Sequence, residues 1–208
     1  MNEKQSNPKK LLLASDFRDA LMDQRDFSGC DLSGSDFSNA LLTNCNFENA
    51  ILRNCNFHGA DLRGSTLKGA DISGANMHWS LLENVNMENL IYDDTTRYYK
   101  MRCPEEGAFV AYKTTFDRRV VQLLVPKDAQ RSSATMDSCR CDKAKVLSIK
   151  SIDYQTSYQE AQSLADPNFI YRVGQMVVAN NFNPDRWADS TGGIHFFMTR
   201  AESIDYMK

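Results

Sequence analysis

From Ser15 to Asn89 the sequence repeats itself every five residues without a break. The middle residue of each unit is apolar: Phe17, Met22, Phe27, Leu32, Phe37, Leu42, Phe47, Leu52, Phe57, Leu62, Leu67, Ile72, Met77, Leu82 and Met87. Two positions earlier the residue is small, as at Ala20, Cys30, Ser35, Ala40 and Cys45; Arg25 and Val85 break that rule. A period of five fits neither the 3.6 of a helix nor the 2.0 of a strand. A short, fixed and sustained repeat implies a chain that winds a coil and stacks each turn on the last. A narrow core admits one large side chain per face only where its corner neighbour is nearly absent, which accounts for the alternation of Phe or Leu with Ala, Ser or Cys. Gly29, Gly34, Gly59, Gly64, Gly69 and Gly74 fall at the last unit position, where the corner turns.

The units GADLR (59–63), GADIS (69–73) and SGANM (73–77) resemble the pentapeptide-repeat family. That resemblance implies a right-handed quadrilateral β-helix with four pentapeptides per coil, about four coils in all, with centre and small residues inside. Opposite faces then share a ten-residue offset. Phe17, Phe37 and Phe57 should stack on one face, and Phe27 with Phe47 on the other. Residues 1–14, with the run Lys9-Lys10-Leu11-Leu12-Leu13, are expected to cap the open end, since a bare end exposes backbone groups and core.

Charge divides the chain. Residues 15–94 carry thirteen acids against five bases, and residues 95–208 thirteen acids against sixteen bases. With the register dissolving after Ile91, this places a domain boundary near residue 95. No stretch approaches the roughly 18 apolar residues of a membrane span, and the first residues lack the apolar core of a secretion signal. Cys30, Cys45 and Cys55 occupy small interior slots on three different faces, so they read as reduced thiols acting as small hydrophobes in a cytoplasm.

Beyond Cys103-Pro104 the grammar changes. The runs 107–113, 118–126, 144–152, 170–180 and 193–200 are rich in β-branched and aromatic residues and bounded by turn residues, so they predict strands. Ser157 to Glu160 has capping-box spacing with a terminating Pro167, which predicts a short helix. Thr199 to Glu202 repeats that signature ahead of a final helix through Met207. The expected fold class is therefore mainly β, a coil over 15–94 followed by a β-rich α+β domain over 95–208 with one or two short helices. CPEEGAFVAYK, LLVPKDAQRSS, KVLSI and GIHFFMTR resemble an uncharacterised domain that follows pentapeptide repeats in bacterial, phage and large-virus proteins, and that likeness implies no chemistry.

On the coil, the position before each centre is normally Asp or Asn but turns apolar at Leu21, Leu41, Leu81, Ile51 and Ile91. A row of aliphatic side chains on a polar shaft marks a contact surface, for a separate partner or for the cap or second domain folding back. Trp79, beside His78, reads as a residue packed at the domain junction or as a partner's anchor. In the second half, Cys103, Cys139, Cys141 and His195 are a weak zinc set, because no second paired-cysteine motif accompanies Cys139-x-Cys141. His195 with Cys103 or Ser132 and Asp137 is the only catalytic grouping the residues suggest, without a nucleophile elbow or phosphate loop to support it. The basic residues from Arg118 to Lys150 are interleaved with Asp117, Asp128, Asp137 and Asp142, so they predict a solvated face rather than nucleic-acid binding. These readings converge on a non-enzymatic scaffold for a protein partner, in phage, prophage or bacterium, with no cofactor and no membrane; homo-oligomers stay open. The family resemblance adds an alternative, an acidic rod that mimics duplex DNA toward a type II topoisomerase, weakened by the short shaft and by Arg18, Arg25, Arg53, Arg63 and Lys68. A small enzyme or a zinc-binding domain at the C-terminus is the second alternative.

Overall fold

The computed structural model describes residues 10–188 and 191–207. The chain divides into two compact units, one ending at Lys100 and the other beginning at Met101.

In the first unit, parallel bridges join residues twenty apart, from Leu11 with Asp31 through Asp71 with Ile91. The chain thus returns above itself once every four pentapeptides. Each rung carries a pair of main-chain bonds: Phe37 N donates to Asn56 O (2.7 Å), and Asn56 N donates to Ser35 O (3.0 Å). Corners turn by left-handed residues at the last unit position, Gly29 and Gly34 among them, and Asn39, Asn44, Asn49 and Asn54 elsewhere. Gly and Asn populate that region at least cost. Lys10 to Ala14 joins the same ladder, with Leu12 N on Asp31 O and Ala14 in the left-handed region. The rest of the expected cap lies outside the described residues.

The expected ring columns form. Phe17 and Phe37 stack at 4.9 Å, Phe37 and Phe57 at 5.0 Å, and Phe27 and Phe47 at 5.1 Å. Phe37, Phe47 and Phe57 are fully buried. The interior thiols are free, and two of them bond within the coil: Cys45 Sγ donates to Met22 O and Cys55 Sγ to Leu32 O. The coil ends where Asp93 Oδ1 accepts from the Thr95 and Thr96 amides and Thr96 Oγ1 donates to Ile72 O. One extra residue enters there, so the last bridge joins Asn76 to Arg97.

The second unit contains β1 (Phe109–Thr114), β2 (Arg119–Val125), β3 (Arg131–Ser132), β4 (Cys139–Cys141), β5 (Lys143–Ser151), β6 (Ser157–Tyr158), β7 (Glu160–Gln162), β8 (Ile170–Arg172), β9 (Met176–Val178), β10 (Ile194–Phe196) and α1 (Arg200–Asp205). β1, β2 and β5 run antiparallel in one sheet, and β6 and β9 share the far edge of β5. β10, β4 and β3 form a second sheet, and β7 pairs with β8. Val121, Leu123, Val146, Tyr171 and Phe196 fill the core.

Two expectations need correction. The helix predicted after Ser157 is two strands instead, because Tyr158 pairs with Ile149 at the sheet edge and Ala161 is buried opposite Tyr171. A local capping signal loses to pairing that buries an apolar face. The run 170–180 is split at Gly174 (φ 83°), which sends β8 and β9 to different sheets. The second capping box does form: Thr199 Oγ1 accepts from Glu202 N, and Glu202 accepts in return from Thr199 N. Its helix stops at Asp205, short of Met207. Among the described residues, no helix is long and apolar enough to cross a membrane.

Candidate interaction surface

The bridges sort the outward residues of the coil into columns. Leu21, Leu41, Asp61 and Leu81 form one, and Leu11, Asp31, Ile51, Asp71 and Ile91 another, half a turn away. The five aliphatic candidates therefore divide between two sides. Within the first column Leu21 is 81% exposed, whereas Leu41 and Leu81 are half-buried.

Carboxylates in these columns, Asp61 and Asp71, and Asp16 outside them are engaged. Arg53 Nε holds Asp71 at 2.6 Å, Arg63 holds Asp61 at 2.6 Å, and Arg18 holds Asp16 at 2.7 Å. The Arg18 guanidinium lowers the Asp16 carboxyl to about 2, and Arg63 holds Asp61 below the usual carboxylate range. Arginine forks of this kind neutralise the charge that a phosphate-like row would need to leave free.

Trp79 departs from the pattern. Its position is occupied by Gly, Asn or another small or polar residue at every other corner from Ala14 to Asn89, and Trp79 adopts the same left-handed backbone, φ 61°. A bulky side chain there is an outlier that costs on the order of 1–3 kcal/mol. The indole is 50% exposed and lies 5.4 Å from the His58 ring and 5.1 Å from His78. His58 and His78 are 5.2 Å apart, and Tyr98 stacks on His78 at 4.0 Å. Sequence reasoning found His78 and Trp79 but missed His58 and Tyr98. For His58 the signal was its spacing of twenty residues from His78, one full turn; Tyr98 follows the extra residue of the last turn, so the regular spacing did not place it.

In the second unit the predicted chemistry does not assemble. β10 and β4 pair His195 with Arg140, and Ile194 and Phe196 with Cys141 and Cys139. Side chains alternate across a sheet, so His195 lies on the face opposite the two thiols. Cys139 donates to Cys103, and burial with that bond keeps the Cys139 proton in place; burial pushes the Cys141 thiol up to about 12. Among the described residues, no three His, Cys, Asp or Glu side chains are grouped to hold a metal ion. Ser132 faces Arg140, which faces His195, so Ser132 and His195 are two ladder spacings apart, about 9–10 Å. His195 Nε2 is bonded to Thr191 O (2.9 Å), and Arg102 holds Asp137 at 3.2 Å. Three of the basic side chains are likewise occupied. Lys143 pairs with Asp128, Arg119 with Asp117, and Arg131 donates to the Gly107 and Pro126 carbonyls.

Comparison with solved structures yields pentapeptide repeat proteins. HetL, involved in heterocyst differentiation regulation in the cyanobacterium Nostoc, is 28% identical over 42% of this chain and 45% of its own, with a TM-score of 0.35. A pentapeptide repeat protein of the Arabidopsis thaliana thylakoid lumen is 25% identical over 43% of this chain and 72% of its own, also with a TM-score of 0.35. QnrB1, a plasmid-mediated fluoroquinolone resistance protein, is 20% identical over 44% of this chain and 59% of its own, with a TM-score of 0.16. The chain thus spans less than half the length of HetL. Comparison with curated proteins gives no match. Pentapeptide repeats match residues 14–49, 30–69 and 50–89, and a family of unknown function, DUF5758, matches residues 99–203, just over half of the chain. The chain therefore belongs to the DUF5758 family, with pentapeptide repeats preceding its matched domain.

Proposed function

We propose that this is a non-enzymatic interaction protein of the cytoplasm, in which a right-handed, four-sided coil of about four turns presents Trp79 to a protein partner. The observation that carries this reading is the corner itself. Where the repeat elsewhere places Gly, Asn or another small or polar residue, the coil holds a half-exposed indole on a left-handed backbone, braced by His58 and His78. Strain retained at an exposed position points to function, and Trp is the side chain most enriched among interface anchors. Leu21 and Ile91, both more than half exposed, are separate apolar positions on two other sides of the coil.

The topoisomerase-directed, DNA-mimicking reading stands second. Pairing of Asp16, Asp61 and Asp71 with arginines favours the scaffold over a rod of free carboxylates. Affinity capture from native host cells with the wild-type chain and with Trp79→Asn tests the first reading. Loss of the captured protein with an undiminished melting temperature supports it, and unchanged capture removes it. Inhibition of a type II topoisomerase in a supercoiling assay would promote the second.

A further inference from the structure

A cavity of about 530 Å³ opens within the second unit, at the end of β1. Its volume falls in the range of small-molecule sites, roughly 300–1,000 Å³. Phe169, Phe197 and Tyr171 give it an apolar lining, and Ser163 and Asn181 add polar groups. Lys113 also lines it, mostly buried, on the same side of β1 as the core residue Ala111. A lysine ammonium has three donors; here one goes to His195 O at 3.0 Å. Among the described residues, no carboxylate lies within 4.0 Å of it. Asp166 borders the cavity, but its carboxyl turns back to accept from Asn168 N. Burial lowers the Lys113 pKa to about 8. A partly buried charge without a counter-ion is costly, and sequence position alone would have let the same strand carry an aliphatic residue there.

We propose that this cavity binds a small organic carboxylate, its oxyanion against the Lys113 ammonium and its apolar body against Phe169 and Phe197. One buried positive charge balances a monoanion, whereas a phosphate dianion would call for a second cation or a guanidinium fork. The titratable groups that line the cavity with Lys113 are Asp166, Tyr171, His195 and Tyr206, and Cys141 acts on Lys113 only through its charge, from outside that lining. Burial raises the pKa of both the Tyr171 phenol and the Cys141 thiol, so neither supplies the missing negative charge at neutral pH.

The test uses the full chain with benzoate, phenylacetate and hexanoate, each beside its neutral amide, followed by amide-resonance titration. At least one carboxylate should saturate a single site at the cavity and bind about tenfold more tightly than its amide. Lys113→Met should lose that preference. In the wild-type chain, ¹³C-dimethylated Lys113 should titrate near 8 when free and move toward the ordinary lysine range with the bound carboxylate. The second measurement needs no variant, so a failure of Lys113→Met to fold leaves the question decidable. No saturable carboxylate binding, equal binding of acid and amide, or an unmoved Lys113 titration would each overturn the proposal.

Discussion

Phe37 and Lys113 show how differently the two units assign a residue its place. Phe37 is buried between Phe17 and Phe57, one turn on either side, because every inward position in the coil recurs after twenty residues. Lys113 reaches a carbonyl 82 residues away, and its neighbour Thr114 donates to Ser203 O. In the coil, arithmetic along the chain decides what is inside. In the second unit, only the meeting of distant strands decides it, and that freedom allows a charge to be enclosed. The periodic unit therefore displays its exceptional residues outward, as at Trp79, and the aperiodic unit can place one inward.

The largest expected effect tests the periodic side. Phe37→Ala removes a fully buried ring from its stack and should lower coil stability by about 3–5 kcal/mol in urea unfolding. Retained stability would mean that the stacks do not hold the coil.

Lys113→Met tests the enclosed charge. Because the folded pKa (about 8) lies below the usual lysine value of 10.5, the unfolded chain binds more protons between those limits. Wild-type stability should therefore rise with pH through that window. The variant should exceed the wild type below pH 8 by on the order of 3 kcal/mol, and the gap should close above pH 10. A gap that does not change with pH would show that Lys113 is hydrated.

Glycine substitutions sharpen the same contrast. Gly59 (φ 69°) and Gly107 (φ 76°) share a left-handed backbone, but a Cβ at Gly59 would meet Asn39 Oδ1 at 2.5 Å, whereas at Gly107 it would meet nothing within 4 Å. Gly107→Ala should cost about 1–2 kcal/mol, the backbone strain alone. Gly59→Ala should cost somewhat more, since the Asn39 side-chain amide one turn away must also shift. Equal losses would mean that the stacked corners do not touch.

The smallest effect separates two similar signals. Thr199→Ala breaks a formed capping box and should cost about 1 kcal/mol, while Ser157→Ala, at the start of an edge strand, should leave the melting temperature unchanged.

Much of the coil was legible because its period excludes other folds and numbers its faces. The strands around Phe109, Arg119 and Lys143 were legible from β-branched runs. The segment after Ser157 was not, since its capping pattern is local and the pairing that overrode it comes from β5 and β8. Within the candidate site, His78 and Trp79 stood out as neighbours, but His58 and Tyr98 join them only through the stacking of turns. Lys113 gave a fainter signal, its parity with Ala111 on β1, which indicates an inward position but not an enclosing cavity.

Trp79→Asn, with stability and partner capture measured on the same preparation, tests most directly whether that corner serves binding at the expense of the fold. The expected result is a melting temperature equal to or above the wild type, because Asn relieves a strained backbone, together with loss of the captured protein. A destabilised coil that captures its partner as before would contradict it, and would make Trp79 a structural brace for His58 and His78.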